Sequence, residues 1–240
     1  MQEKTVSEAI AHRRSVRIYD PKKSIDTERV KYCIKQATLA ASSSNLQLWE
    51  FYHITSSDMK KKVAINCYNQ SAAKTAQELV IPVVRLDLWR ERIKSNVDFI
   101  QLNVKTPEDE KKIQGALKYY QKIIPQLYNA TSYFYGLINK IKVSFQGLRN
   151  VTYREVTSED LRVVGHKSTA LAAQNFMMSM AGYGYDTCPM EGFDSKRLKQ
   201  ILKLPSASQI SMVIGCGIRK TEGVYGERFR IPFKEVYREL

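Results

Sequence analysis

Five arginines and one serine, divided between the two ends of the chain, are the residues best suited to chemistry. Arg13-Arg14-Ser15-Val16-Arg17 stands near the N-terminus and Arg228-Phe229-Arg230 near the C-terminus. In extended backbone, side chains alternate between faces, so Arg13, Ser15 and Arg17 share one side, as do Arg228 and Arg230. Planar guanidinium forks with a hydroxyl beside them suit a phosphate dianion. If the two ends meet, they make one anion pocket. Arginines clustered in this way also occur as ordinary solvated surface charge.

Two further segments add to this pair. Ala41-Ser42-Ser43-Ser44-Asn45-Leu46-Gln47-Leu48-Trp49-Glu50-Phe51 sets hydroxyls and amides in a loop ahead of an aromatic strand. Cys188-Pro189-Met190-Glu191-Gly192-Phe193-Asp194 joins a proline and a glycine to a helix-capping aspartate. Taken in order, R-R-S-x-R, S-S-x-N-x-Q-x-W-x-F, P-x-E-G-F-D and R-x-R resemble the nitroreductase family of FMN-dependent oxidoreductases. The resemblance covers residues 6–84 and 165–240 well and residues 85–164 loosely.

The resemblance implies an α+β fold with a mixed central sheet wrapped by helices. It also implies an intertwined homodimer whose two active sites are shared between subunits. Arg13, Arg14, Ser15 and Arg17 would hold the FMN phosphate, ribityl chain and ring edge, with further phosphate contacts from Arg228 and Arg230. Ser42, Ser43, Ser44 and Asn45 would lie against the partner subunit's flavin. Asn69 would meet the pyrimidine edge, whose N–H and carbonyls match an amide. Pro189, Met190, Glu191 and Gly192 would sit over the ring, with a backbone N–H of Glu191 or Gly192 near N5. NADH or NADPH would be the reductant, and a nitroaromatic, quinone or similar acceptor would follow in a ping-pong cycle whose chemistry is the cofactor's. The family usually has proline at the positions of Ser42 and Leu48, a departure expected to loosen the loop.

Composition limits the other readings. The chain has 240 residues, 43% hydrophobic and 26% charged, enough for one domain with a substantial core. No apolar run approaches the ~20 residues of a membrane-spanning helix. The start, Met1 to Glu8, has no apolar core of a secretory leader. Cys33, Cys67, Cys188 and Cys216 are scattered without a C-x-x-C pair or a nearby histidine cluster, which argues against zinc and a disulfide framework and suits a reducing cytoplasm. The net charge of +14 raises nucleic-acid binding, but the lysines fall in short dispersed groups and no nucleic-acid motif is present. Gly182-Tyr183-Gly184 and Gly215-Cys216-Gly217 lack the third glycine of a dinucleotide fingerprint and read as turns. His12, His53 and His166 form no cluster and read as packed or capping residues.

Several elements follow from pattern. Residues 6–12 form a short helix with Ser7 as cap. Asp26 caps a helix to about Leu39, with Ile25 and Val30 as a hydrophobic staple. Trp49 to Ile54 is a strand, 58–66 a helix, and Leu79 to Leu86 a strand that Pro82 assigns to an edge or bulge. Helices span 87–103 and 106–128, the second opened by Thr106 and Pro107. Residues 129–164 carry no assignment. Lys167 to Ala181, including Leu171, is apolar almost all round and reads as buried in a core or subunit interface. Asp194 caps another helix, and Gln209 to Gly217 is a strand. Residues 1–240 read as one domain, with 85–164 as a variable lid that Tyr119, Tyr120, Tyr128, Tyr133, Phe134 and Tyr135 could line. The competing functional readings are a flavin-binding protein without turnover and a flavin dehalogenase or dehydrogenase of the same superfamily.

Overall fold

The computed structural model describes residues 3–129 and 133–240, excluding the side chains of residues 133–135 and 137. Helix α1 (Val6–His12) begins at Thr5 rather than Ser7, because Thr5 and Glu8 satisfy each other's orphan groups in a capping box. Residues 13–19 then run extended. Helix α2 (Thr27–Ala37) is capped by Asp26 as expected, and Ile25 packs in the same cluster as Val30. A tight 3₁₀ turn at Ser43–Asn45 leads into β1 (Trp49–Ile54), α3 (Ser57–Asn66), α4 (Ser71–Lys74) and β2 (Glu78–Val84).

The next stretch is helical: α5 (Trp89–Leu102), α6 (Pro107–Lys118), a π turn at Tyr119–Ile123, α7 (Ile124–Tyr128) and α8 (Tyr133–Gln146). The expected 106–128 helix is interrupted because Pro125 has no N–H and its ring crowds the carbonyl four residues back. The Ile124 N–H reaches back five residues, to Tyr119. Helix α9 (Ser158–Gly182) starts well before Lys167, at a Thr157–Asp160 capping box. Then come β3 (Asp186–Met190), α10 (Ser195–Ile201), β4 (Gln209–Ile210), β5 (Val213–Gly217) and α11 (Phe233–Val236).

The sheet runs β1-β2-β5-β3, with β4 also on β2, and all these strand pairs are antiparallel. Parallel pairing enters at one bridge, Ser15 to Thr187, which lays the N-terminal arginine segment beside β3. Strand β2 is central, not an edge. Its Pro82 carbonyl accepts from the Ser211 N–H in the joint between β4 and β5. In an antiparallel strand the N–H and C=O of one residue face the same neighbour, so the missing donor of Pro82 falls in that joint, where Val83 pairs with Ile210 and Val80 with Ile214 and the one extra residue makes the bulge that the sequence offered as the alternative to an edge.

Alternation along β2 divides the core. Leu79, Ile81 and Val83 pack with Val63, Ala72, Val213 and Leu198 on the α3–α4–α10 face. Val80 packs with Val30, Cys33, Phe176 and Met180 on the α2–α9 face. A third cluster joins Leu46 and Leu48 to Trp89, Ile124, Tyr128 and Leu161, with Trp89 stacked on Tyr128 at 5.6 Å. Two sequence readings are corrected here. Leu171 on α9 is 53% exposed. Gly215 and Gly217 lie inside β5, not in a turn; a Cβ on Gly217 would meet the Tyr19 ring at 2.6 Å. Among the described residues, no helix is long and apolar enough to cross a membrane, and no group of three or more His, Cys, Asp or Glu could hold a metal.

Candidate functional site

The two ends of the chain do meet. The Arg228 guanidinium donates to the carbonyls of Ala11 (2.7 Å) and Arg13 (2.8 Å), which the end of α1 leaves without helical partners. Arg14 donates to the Gly226 carbonyl at 2.9 Å. The Arg17 N–H donates to the Gly223 carbonyl at 2.7 Å, and its guanidinium lies over the Tyr225 ring, 5.2 Å from the centroid. This approach requires glycine at 223, since a Cβ there would sit 2.3 Å from the Ile18 carbonyl oxygen.

A buried ionic group fixes the floor of this junction. Asp186 on β3 accepts from the Arg219 Nε at 2.8 Å and backbone N–H at 2.7 Å, and His12 Nε2 stands 3.3 Å away. Burial lowers the His12 pKa, against the opposing pull of Asp186. No spacing in the sequence marks this trio, because its members lie on three separate elements.

Arg13 is the unusual member. It is half-buried, its guanidinium makes no hydrogen bond, and no carboxylate pairs with it among the described residues. Burial, and then the Arg228 and Arg230 charges, press it below the ordinary arginine value. Arg230 contacts only the carbonyl of its neighbour Phe229, at 2.7 Å. Arg228 and Arg14 hold the backbone together here, whereas Arg13 and Arg230 are left free to meet an anion. Cys188 lies beside Arg13 and Arg17; burial raises its thiol pKa against the pull of those cations.

The Pro189-Met190-Glu191-Gly192 segment leaves the end of β3, with Met190 buried and Glu191 and Gly192 exposed. The Gly192 carbonyl accepts from the Gln70 side chain at 2.7 Å. Gln70 was not singled out from the sequence, although it is an amide adjoining Asn69. Asn69 itself is exposed on the wall of a separate cavity of about 450 Å³, with Lys61, Lys74 and Ile65. The structure therefore brings Gln70, and not Asn69, to the glycine loop.

Ser42 to Asn45 lie at the opposite edge of the sheet, ahead of β1. Three strand spacings, roughly 14 Å, separate that edge from β3. Among the described residues, no hydrogen bond links this loop to the arginines. Ser44, Asn45 and Gln47 have positive φ of 53°, 51° and 48°. The Ser42 Oγ accepts from the Gln47 N–H at 3.2 Å, and the Asn45 amide donates to Asn96 at 3.0 Å. Leu48, expected to loosen the loop, is 4% exposed and anchors it in the third core cluster. The loop's tightness thus comes from apolar burial rather than proline. Of the expected lid residues, Tyr119 and Tyr120 reach this loop, and Tyr128 is packed against Trp89. The side chains of Tyr133, Phe134 and Tyr135 lie outside the described residues.

Comparison with known proteins places this arrangement. The Nitroreductase family model matches residues 10–218. Protein DrgA of Synechocystis is 26% identical, aligned over 92% of this chain and 87% of its own length. A Staphylococcus epidermidis protein, provisionally described as an NAD(P)H:FMN oxidoreductase, superposes with a TM-score of 0.74 at 20% identity, covering 100% of this chain and 98% of its own. An Exiguobacterium sibiricum protein, provisionally described as a nitroreductase and solved in complex with FMN, gives a TM-score of 0.70 at 20% identity, covering 100% and 99%. With nearly nine-tenths of its length matched by the family model, and the same fold throughout, the chain belongs to the nitroreductase family.

Proposed function

We propose that this protein is an FMN-dependent oxidoreductase that uses NADH or NADPH to reduce nitroaromatic, quinone or similar electron-poor acceptors. The observation that carries this reading is Arg13, a half-buried cation with no carboxylate partner, beside Arg228 and Arg230 at the junction of the two ends. An uncompensated buried charge is costly, and a phosphate would relieve it. The residues present fit FMN: cations and the Ser15 hydroxyl for the phosphate end, the Gln70 amide and the Glu191–Gly192 backbone for the ring end. The Staphylococcus epidermidis and Exiguobacterium sibiricum descriptions point the same way.

When bound, FMN supplies two-electron transfer, taking hydride from the nicotinamide and passing two electrons to the acceptor in a ping-pong cycle. The chain's own residues bind and orient. Arg13 and Arg230, with Arg14, Ser15 and Arg17, hold the phosphate and ribityl chain, while Arg228 locks the C-terminal segment that carries Arg230. Pro189, Met190, Glu191 and Gly192 would lie along the flavin ring, and a Glu191 or Gly192 N–H would be the donor available to its N5. Ser42, Ser43, Ser44 and Asn45 would approach the ring of a partner subunit's flavin, a reading that their place at the far edge of the sheet supports.

This reading makes the protein a homodimer. The exposed Phe229, Ile231, Phe233 and Val236 of the C-terminal arm, the exposed Val163 and Leu171 of α9, and the open edge of β1 are the surfaces it would cover. The whole chain is then one domain, and residues 85–164 select the acceptor. The testing experiment is the visible absorption spectrum before and after anaerobic NADH or NADPH. Flavin bands that bleach, and return with a quinone, are the expected result. Bands that persist would instead favour a flavin-binding protein without turnover, and failure to take up FMN would overturn the reading.

A further inference from the structure

We infer that Tyr119 and Tyr120, with Asn96, clamp the left-handed Ser44–Asn45 corner of the loop and, together with Ser168 on α9, which accepts from the Ser43 N–H at 3.2 Å, thereby position the loop for the cofactor. The Tyr119 hydroxyl lies 2.7 Å from the Ser44 Oγ. The Tyr120 hydroxyl donates to the Ser44 carbonyl at 3.0 Å and lies 3.2 Å from the Asn96 Oδ1. Asn96 donates in turn to the Asn45 carbonyl at 3.1 Å and accepts from the Asn45 amide at 3.0 Å. The Ser44 hydroxyl and carbonyl and the Asn45 carbonyl and amide nitrogen are thus all bonded to the lid helices.

The clamp answers a conformational cost. Consecutive non-glycine residues at positive φ are disfavoured and persist only where surroundings over-determine them. It also explains the π turn. On a regular helix adjacent side chains diverge by about 100°. The wider turn imposed by Pro125 narrows that angle, so two successive tyrosines reach one loop, their rings edge-on at 5.4 Å. Ser42 is meanwhile occupied by the Gln47 N–H, and Ser44 by Tyr119. Among the loop's three serines, Ser43 alone keeps a hydroxyl without a partner among the described residues. These are positioning residues, which tie the lid to the loop. The cofactor part of the inference rests on the function proposed above.

Hydrogen exchange reads the clamp without any flavin. The Asn45, Leu46 and Gln47 amides are bonded within the loop, to the Ser42 carbonyl, the Ser43 carbonyl and the Ser42 Oγ. Tyr119→Phe and Tyr120→Phe keep the rings and their packing and remove only the hydroxyls. Each variant is expected to speed exchange of those three amides about fivefold, and the pair tenfold or more, roughly the worth of ordinary hydrogen bonds, with α9 amides unchanged. Ser44→Ala is expected to match Tyr119→Phe, and combining the two to add nothing. Unchanged exchange in the tyrosine variants would overturn the clamp. FMN titration by fluorescence quenching is the second arm, with affinity expected to fall by a factor similar to the exchange change. Faster exchange at wild-type FMN affinity would overturn the cofactor role of the clamp. If the wild-type protein takes up no FMN, the proposed function fails, while the exchange data still decide the clamp.

Discussion

The arginine junction and the serine loop occupy opposite edges of one sheet and are built on opposite principles. The junction is assembled from both ends of the chain and leaves cations bare: among the described residues the Arg13 guanidinium has no hydrogen-bond or carboxylate partner, and that of Arg230 bonds only to the carbonyl of its neighbour Phe229. The loop is local and neutral, and nearly every polar group in it is bonded within the chain. On the proposed function, affinity for an anion would reside in the junction, and geometry and selection in the loop and its lid.

The largest effect tests the first half of that contrast. Arg13→Ala combined with Arg230→Ala removes the two free cations and keeps Arg228, which locks the backbone. The FMN dissociation constant should rise at least about a hundredfold, since two charge-assisted hydrogen bonds of about 1.5 kcal/mol each are lost. Fluorescence titration measures it, and thermal stability of the apoprotein should hold or rise as like charges are removed. Full FMN occupancy in this double variant would refute the assignment of the pocket.

The next effect belongs to the loop. Leu48→Ala leaves a void in the cluster of Leu46, Trp89, Ile124 and Tyr128. A loss of about 2–3 kcal/mol in denaturant unfolding is expected. The acceptor KM should rise more than the FMN dissociation constant, because the loop and lid shift while the junction stands. An equal change in both would show that the two halves are not separable in this way.

How much of this could be read from the sequence follows the same division. The arginine cluster was legible because R-R-S-x-R and R-x-R carry their chemistry in residue type, and only the meeting of the two ends was conjecture. Which arginines bind backbone and which stay free was not legible, since that depends on where the Ala11 and Gly226 carbonyls fall in space. The serine loop was legible as a loop, but its clamp was not. Asn96, Tyr119 and Tyr120 lie in residues 85–164, where the family resemblance is loosest, and the π turn that aligns them follows from Pro125 within an otherwise regular helix. Strand β3 went unread because Pro189 and Gly192 look like loop chemistry, and of the two readings that Pro82 left for β2, an edge or a bulge, the choice of the bulge opposite it, in the joint between β4 and β5, is a tertiary fact. Hydrophobic alternation and caps, which act over a few residues, gave β1 and α3 nearly to the residue, α2 to within about two residues and the start of α10 at its Asp194 cap.

The smallest effect concerns the link between the halves. Glu78 on β2 accepts from Thr27 on α2 at 2.5 Å and meets His53 on β1 at 2.6 Å, tying the strand that follows the serine loop to the centre of the sheet. Burial alone would raise its carboxyl pKa, but the hydrogen bonds from His53 and Thr27 outweigh burial and hold it below the ordinary glutamate value of 4.5. A folded-state pKa lowered in this way contributes stability that is present above about pH 4.5 and is lost as pH falls through the folded value. Glu78→Gln should cost about 1 kcal/mol at neutral pH and flatten this part of the acid limb. In the wild type, acidification should speed hydrogen exchange in β1 before it does so in β3, whose anchor is the separate Asp186–Arg219 pair. Simultaneous loosening of both edges would mean that the sheet transmits the change, and that the two halves of the site are coupled through β2 and β5 rather than only through a bound cofactor.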